Sequence, residues 1–261
     1  MILPESIRKH LPESNYVLDH VGCSDAQVMM YPEVVLKVQA DCTVSANEYK
    51  MMRWLQGKLP VPEIIAADCV DGMRYLLMRR IEGKVLCDAT ILDNQDFLAQ
   101  LVAEGLRMHW SVDISDCPTN RTLDEKFREI DTGLRQGIIT REQAYQAETY
   151  GPGGFESPEK LFDWLVKNRP QEEPVLTHGD FCLPNFFTTG HHLSGVIDLG
   201  CAGIADRWVD IERAVWSMWA NTTGQFGGKR REFDRKRLFD VLGMQPDDEK
   251  LRYYSLLSEL C

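Results

Sequence analysis

Leu176-Thr177-His178-Gly179-Asp180-Phe181-Cys182-Leu183-Pro184-Asn185 is a short apolar run that opens into a polar loop. A second apolar run follows and ends in Ile197-Asp198-Leu199-Gly200. Phosphoryl transfer needs a carboxylate beside the attacking hydroxyl and oxygen ligands for the magnesium that bridges the phosphates. A loop carrying Asp and then Asn, next to a second carboxylate at a strand end, supplies those groups. The plainer alternative is turn formation, because Asp, Asn, Gly and Pro favour turns and a loop Asn often caps backbone groups.

The pattern on the N-terminal side of this stretch is strands around one helix. Tyr31-Pro32-Glu33 reads as a turn ahead of the β-rich run Val34-Val35-Leu36-Lys37-Val38. Residues 45–58 read as a helix with Met51, Met52, Trp54 and Leu55 on its apolar side, stopped by Leu59-Pro60-Val61-Pro62. Arg74-Tyr75-Leu76-Leu77-Met78 reads as a further strand. From about residue 94 the spacing turns helical, as in Phe97, Leu98, Leu101, Val102 and Leu106. Ser157-Pro158 is a helix start, with Phe162 and Leu165 on one face. The two short β-like runs within 175–199 interrupt the helices, and His191 and His192 fall in the solvated turn between them. The expectation is an α+β, two-lobed fold with a cleft between the lobes. Residues 1–80 make a small β-rich N-lobe, residues 81–261 a larger, mainly helical C-lobe, and a hinge lies near 78–82.

Composition narrows the partners. The 261 residues carry a formal net charge of −11, which argues against a nucleic-acid backbone as ligand. It is compatible with a cationic ligand, although solubility alone would account for it. No apolar run is long enough to span a bilayer, and the N-terminus lacks the basic-then-apolar pattern of an export signal, so the expected compartment is the cytoplasm. The eight cysteines are scattered without a C-x-x-C pair, which speaks against a thiolate zinc site and a disulfide framework.

The loop and the later Asp resemble the aminoglycoside 3′-phosphotransferases of the protein-kinase-like superfamily, which carry H-G-D-x-x-x-x-N followed by I-D-x-G. Protein kinases place H-R-D at the same point. The resemblance runs nearly end to end and includes Leu36-Lys37, the stretch from Trp54 to Pro62, Ile114-Ser115-Asp116-Cys117-Pro118, Ala205-Asp206-Arg207-Trp208 and the closing Tyr253 to Leu260. It implies ATP and Mg²⁺ as cofactors and an aminoglycoside hydroxyl as acceptor. It makes Asp180 the catalytic carboxylate, Asn185 and Asp198 the metal ligands, and His178 a scaffold of the loop. Lys37 would grip the nucleotide phosphates and pair with Glu48. Glu48 also fits a capping box, Ser45-Ala46-Asn47-Glu48, so the ion pair and the cap compete. Ser24 would sit over the β-phosphate, and backbone groups of Arg79 and Ile81 would meet the adenine.

The acceptor side departs from the family pattern. Glu259 and the carboxylate of Cys261 remain as acceptor-binding candidates beside Asp180, with Glu148 ahead of the Ser157 helix as a further one. Ser258 stands where the family has an aspartate, and Cys201 and Trp216 stand where it has arginines. Two rival readings follow: a kinase of the same fold acting on another small-molecule hydroxyl, and a nucleotide-binding module without turnover. The oligomeric state and the choice between ATP and GTP stay open.

Overall fold

Strand alternation sets the architecture of the first part of the chain. The structure, a computed structural model, describes residues 3–18, 26–144 and 146–261. A short helix α1 (Glu5–Arg8) precedes β1 (Val17–Leu18), β2 (Gln27–Met30) and β3 (Val34–Ala40); α2 (Thr43–Leu55) follows, then β4 (Ile64–Val70) and β5 (Met73–Arg79). The strands form one antiparallel sheet in the order β1-β2-β3-β5-β4. Successive side chains on a strand point to opposite faces. On β3, Val34, Leu36 and Val38 therefore join Tyr75 and Leu77 of β5 and Ile7 of α1 in a small outer core. The same alternation sends Lys37 to the inner face, beside Leu76, which packs with Met51, Met52 and Leu55 of α2 in the large core.

The rest of the chain is mainly helical. In order come β6 (Lys84–Val85), α3 (Ala89–Leu92), α4 (Gln95–Trp110), α5 (Leu123–Arg135), α6 (Pro158–Lys167), β7 (Pro174–Thr177), β8 (Phe186–Thr189), β9 (His192–Val196), β10 (Gly203–Asp206), α7 (Arg207–Thr222), α8 (Lys236–Leu242) and α9 (Asp248–Ser258). Leu98, Leu101, Val102 and Leu106 of α4 are fully buried, as the spacing predicts, and pack with Leu165 of α6 and Ile211 of α7. Each such side chain contributes about 1.5–3 kcal/mol relative to exposure. Ser157 caps α6, its Oγ accepting the Lys160 N–H. Gly190, at φ +68°, turns the β8–β9 hairpin, and His192 stays exposed beside Glu104.

The helix expected over 45–58 runs instead from Thr43 to Leu55. Ser45 does cap, but as the third residue of the helix, with its Oγ taking the N–H of Cys42 at 2.9 Å. The helix therefore starts one half-turn earlier, which frees Glu48 from the cap and places it deep in the interior. At the other end Gly57 turns the chain in the left-handed region, at φ +75°, where glycine is at home.

One buried amide ties α2 to the helical part. Asn47 Nδ2 donates to the carbonyls of Gly200 and Ala202, both at 2.9 Å, and its Oδ1 accepts from Thr119 Oγ1 at 2.7 Å. Removing it strands two carbonyls and a hydroxyl. Asn47→Ala should lower stability by about 2–4 kcal/mol, since each unmet buried group costs roughly 1–3 kcal/mol. Denaturant unfolding would read this as a lower midpoint; an unchanged midpoint would mean that the seam holds without the amide.

Candidate active site

The loop begins where β7 ends. β7 pairs antiparallel with β10, Thr177 opposite Gly203, and Thr177 Oγ1 donates to Gly203 O at 3.0 Å. The chain then turns at Gly179, with φ +79°; a β-carbon there would lie 2.2 Å from Cys201 O. Asp210, buried in the first turn of α7, pins this turn. Its Oδ2 accepts the His178 N–H at 2.7 Å and its Oδ1 the Gly179 N–H at 2.8 Å. Burial pushes the Asp210 carboxyl up to about 6, against the pull of His178 and the two N–H groups.

His178 is locked from both sides. Its Nδ1 accepts the Asp180 N–H at 3.3 Å, so the ring proton sits on Nε2 and is donated to Ile197 O at 2.8 Å. With both nitrogens engaged, the imidazole is a strut of the loop. Behind it, Phe181 and Phe186 stack with centroids 4.0 Å apart, and His109 meets both rings edge-on. Burial, helped by His178, lowers His109 to about 3, so it packs there as a neutral ring.

Asp180 is held on both carboxylate oxygens. Cys182 Sγ donates to Oδ1 at 3.0 Å, and Asn185 Nδ2 lies 3.4 Å from Oδ2 and 3.0 Å from the Asp180 carbonyl. Burial and then the Asp180 charge push the Cys182 thiol far above its usual value, which keeps it a donor. Leu183 N–H is fixed by Ser217 Oγ of α7 at 2.9 Å.

Beside the loop, three elements converge on one ammonium. Lys37 Nζ of β3 lies 2.8 Å from Glu48 Oε1 of α2 and 2.9 Å from Asp198 Oδ1 at the end of β9. Gln39 Nε2 holds the other Glu48 oxygen at 2.8 Å. Burial alone would lower the Lys37 pKa, but the two carboxylates outweigh it and the net shift is upward. The structure thus resolves the two readings of Glu48 in favour of the ion pair. Asp198 is 45% exposed and adopts φ +63°, so its carboxylate reaches out of the protein while its backbone sits where few non-glycine residues do.

The remaining candidates are placed unevenly. Ser24 lies outside the described residues. Arg79 ends β5, its N–H given to Glu63 O at 2.9 Å, and Ile81 packs on Gly195, where a β-carbon would lie 2.3 Å from Ile81 Cδ1. A cavity of about 80 Å³ lies beside the loop, with Gly179, Cys201, Arg213, Ser258 and Cys261 in its wall. Glu259 is buried just past α9, its Oε2 3.4 Å from the Gln146 N–H, and Glu148 is exposed on the turn Ala147–Thr149. Neither lines that cavity. Among the described residues no group of three or more His, Cys, Asp or Glu side chains forms a metal cage. Sequence reasoning missed Asp210, Cys182 and Arg213. Asp210 shares helical phase with Ala214 and Ser217, so a charge on a buried helix face was the available signal.

Comparison with known proteins agrees with this geometry. A sequence profile described as the phosphotransferase enzyme family matches residues 14–253. An aminoglycoside 3′-phosphotransferase of Enterococcus faecalis is 38% identical over 82% of this chain and 78% of its own length. Another, from Staphylococcus aureus, is 35% identical over 99% and 98%. The chain belongs to the aminoglycoside phosphotransferase family. Its fold agrees: an aminoglycoside-3′-phosphotransferase of type VIII superposes with a TM-score of 0.76 at 21% identity, over 98% of this chain and 96% of the other. A Streptomyces rimosus aminoglycoside phosphotransferase APH(3′′)-Id, solved with ADP and streptomycin, gives 0.74 at 20% identity, over the same shares. The two-lobed, kinase-like α+β architecture expected from the sequence is the observed one.

The Asp210 clamp makes stability and activity diverge with pH. Its folded carboxyl is raised above the value of an unfolded aspartate, about 3.9, so the ionised form costs folding free energy above about pH 6. As far as this group goes, the fold gains stability as pH falls from about 6 towards 4. Activity should move the other way, because protonation puts an O–H against a loop N–H. Turnover should fall through about pH 6 with no loss of melting temperature assignable to Asp210. Asp210→Asn, which opposes an N–H with an amide NH₂, should lower kcat about 10- to 100-fold, the equivalent of one unmet buried donor. Near wild-type kcat in a folded Asn variant would show that the clamp is dispensable.

Proposed function

We propose that this chain transfers the γ-phosphate of ATP to the 3′-hydroxyl of an aminoglycoside. The observation that carries the reading is the Lys37–Glu48–Asp198 cluster beside a doubly held Asp180, in a chain of this family. A nucleotide lying in the cleft beside the 78–82 linker would place its phosphates at Lys37. The Arg79 N–H is already given to Glu63, so adenine would be met by the Arg79 carbonyl and the Ile81 amide. Ser24 is the remaining candidate over the phosphates.

The acceptor oxygen attacks the γ-phosphorus as the bond to the β–γ bridging oxygen breaks, and ADP leaves. Asp180 orients the acceptor hydroxyl and takes its proton. Cys182 and Asn185 keep that carboxylate in one rotamer, and Asp210 with Gly179 keeps its backbone in place. Asp198 and the Asn185 amide oxygen suit Mg²⁺, which binds through one or two protein oxygens plus phosphates and waters rather than in a protein cage. Bound there, the ion would offset the charge that develops on the phosphate oxygens. Acceptor ammonium groups would be drawn by Asp180, Glu259 and Cys261 at the chain end, with Glu148 a further candidate.

Asp180→Asn should abolish most turnover and leave nucleotide affinity nearly unchanged, as read by steady-state ADP release with kanamycin and by nucleotide titration. An Asn variant with wild-type kcat sinks the assignment. If no aminoglycoside accelerates ADP release by the wild type while another polyol does, the same chemistry acts on a different acceptor.

The phosphate-side cluster makes a separate prediction. Lys37→Ala and Glu48→Ala should each lower kcat/KM for nucleotide, and the double variant should cost less than the sum, because the two act as one unit. Additive losses in the double-mutant cycle would mean that Glu48 works independently of the lysine.

A further inference from the structure

Three cations from separate parts of the chain meet in the wall of the cavity beside the catalytic loop. Arg121 precedes α5, Lys126 lies in its first turn and Arg213 is on α7, and all three line the space that Gly179 and Cys201 also border. Arg121 is anchored by its backbone, whose N–H is given to Ile204 O at 2.8 Å, and its Cγ packs on Gly203, where a β-carbon would lie 2.8 Å away. These charges are felt by two thiols beside the loop. Burial raises both Cys182 and Cys201; Arg213 pulls against it at Cys182, and Lys126 and Arg121 pull against it at Cys201.

The carboxylates of the same wall are committed elsewhere. Glu172 accepts the Leu123 N–H at 2.9 Å and pairs with Arg169. Asp206 accepts the Tyr254 O–H at 2.6 Å and the Trp208 N–H at 3.2 Å. Glu212 is held by Ser255 and lies 4.0 Å from Arg213 Nε. The chain-end carboxylate, on exposed Cys261, is the remaining acid of the wall. Of the cations, Lys126 makes no ion pair among the described residues. Arg121 gives its Nη1 to Glu129 at 3.0 Å, yet its side chain is only 10% exposed. Its Nε is buried with no hydrogen-bond partner among the described residues.

An ammonium group entering this space would meet like charge, and it has no lone pair to offer the Arg121 Nε–H. A hydroxyl is neutral, and its oxygen accepts from a guanidinium N–H. Like charges set against one partner are a common way to discriminate between close relatives. We propose that Arg121, Lys126 and Arg213 sort acceptors by charge: the group that enters this cavity is a hydroxyl, and congeners that place an ammonium there are disfavoured. The proposal rests on the aminoglycoside reading above and adds which residues discriminate within that class. Ammonium groups elsewhere on the acceptor would still be matched to Asp180, Glu259 and the chain end.

The test uses two pairs of aminoglycosides that each differ at one group of the ring bearing the 3′-hydroxyl. Paromomycin and neomycin carry a hydroxyl and an ammonium at the 6′ position, and kanamycin A and kanamycin B do so at the 2′ position. The readout is the ratio of kcat/KM for the hydroxyl member to kcat/KM for the ammonium member. Arg213→Gln and Arg121→Gln should each lower that ratio about fivefold in at least one pair, the scale of one charge contact at a partly solvated site. Lys126→Gln should act in the same direction. The change should fall mainly in KM and shrink as salt rises, because partly exposed charges are screened. A residue that merely supports the fold would lower both members alike and leave the ratio where it was. Melting curves identify any variant that fails to fold, and Lys126, with no ion pair to lose, provides the variant that keeps the test decisive. Unchanged ratios in both pairs for the folded variants overturn the charge filter while leaving the phosphotransferase reading intact. Failure of the wild type to phosphorylate any of the four compounds overturns both.

Discussion

A single ammonium joins three separate parts of the chain. Lys37 leaves the middle strand of the sheet, Glu48 comes from the helix that follows, and Asp198 ends a hairpin in the helical part, yet their charged atoms lie within 2.9 Å of one another's partners. Burying that lysine without both carboxylates would be prohibitive, because an isolated buried charge costs several kcal/mol. The register of β3, the start of α2 and the turn at Asp198 are therefore mutually constrained. The seam through Asn47, which fastens the same helix to the carbonyls of Gly200 and Ala202, holds the constraint from behind. The ammonium of Lys37 is thereby held in one position by two carboxylates.

The second constraint is the backbone of the loop. Asp210 spends both oxygens on two successive N–H groups, His178 spends both nitrogens on the loop and on β9, and Gly179 alone fits against Cys201. None of these groups is among the proposed ligands of the phosphates or the metal, but together they leave Asp180 few alternative positions. Preorganisation of this kind matters because misplacement of a catalytic group by even one ångström is costly in rate.

Much of this could be read from residue order. The loop, the later Asp and the strand carrying Lys37 are local patterns, and period-two alternation alone sends Lys37 away from the outer core. The helix limits were misjudged because the capping serine sits at the third helical position, with Cys42 at the cap, which propensity does not favour. Asp210 was not legible because its role depends on a contact across 32 positions of sequence. Cys182 looked like an ordinary loop residue, and only its approach to Asp180 gives the thiol a task. The acceptor-binding candidates were least legible, since Glu259 and Cys261 follow α9 while Glu148 lies on the turn Ala147–Thr149, far apart in sequence.

Asp198 has a consequence of a different kind. Its backbone occupies φ +63°, ψ +54°, a left-handed conformation that Asp and Asn adopt more readily than other L-residues but still at a cost of about 1–3 kcal/mol when enforced. Glycine there would relax the chain and remove the carboxylate. It would also leave the buried Lys37 with one carboxylate in place of two, and breaking a buried ion pair costs about 3–5 kcal/mol, more than the strain it relieves. The left-handed turn persists because the ion pair it makes possible outweighs it.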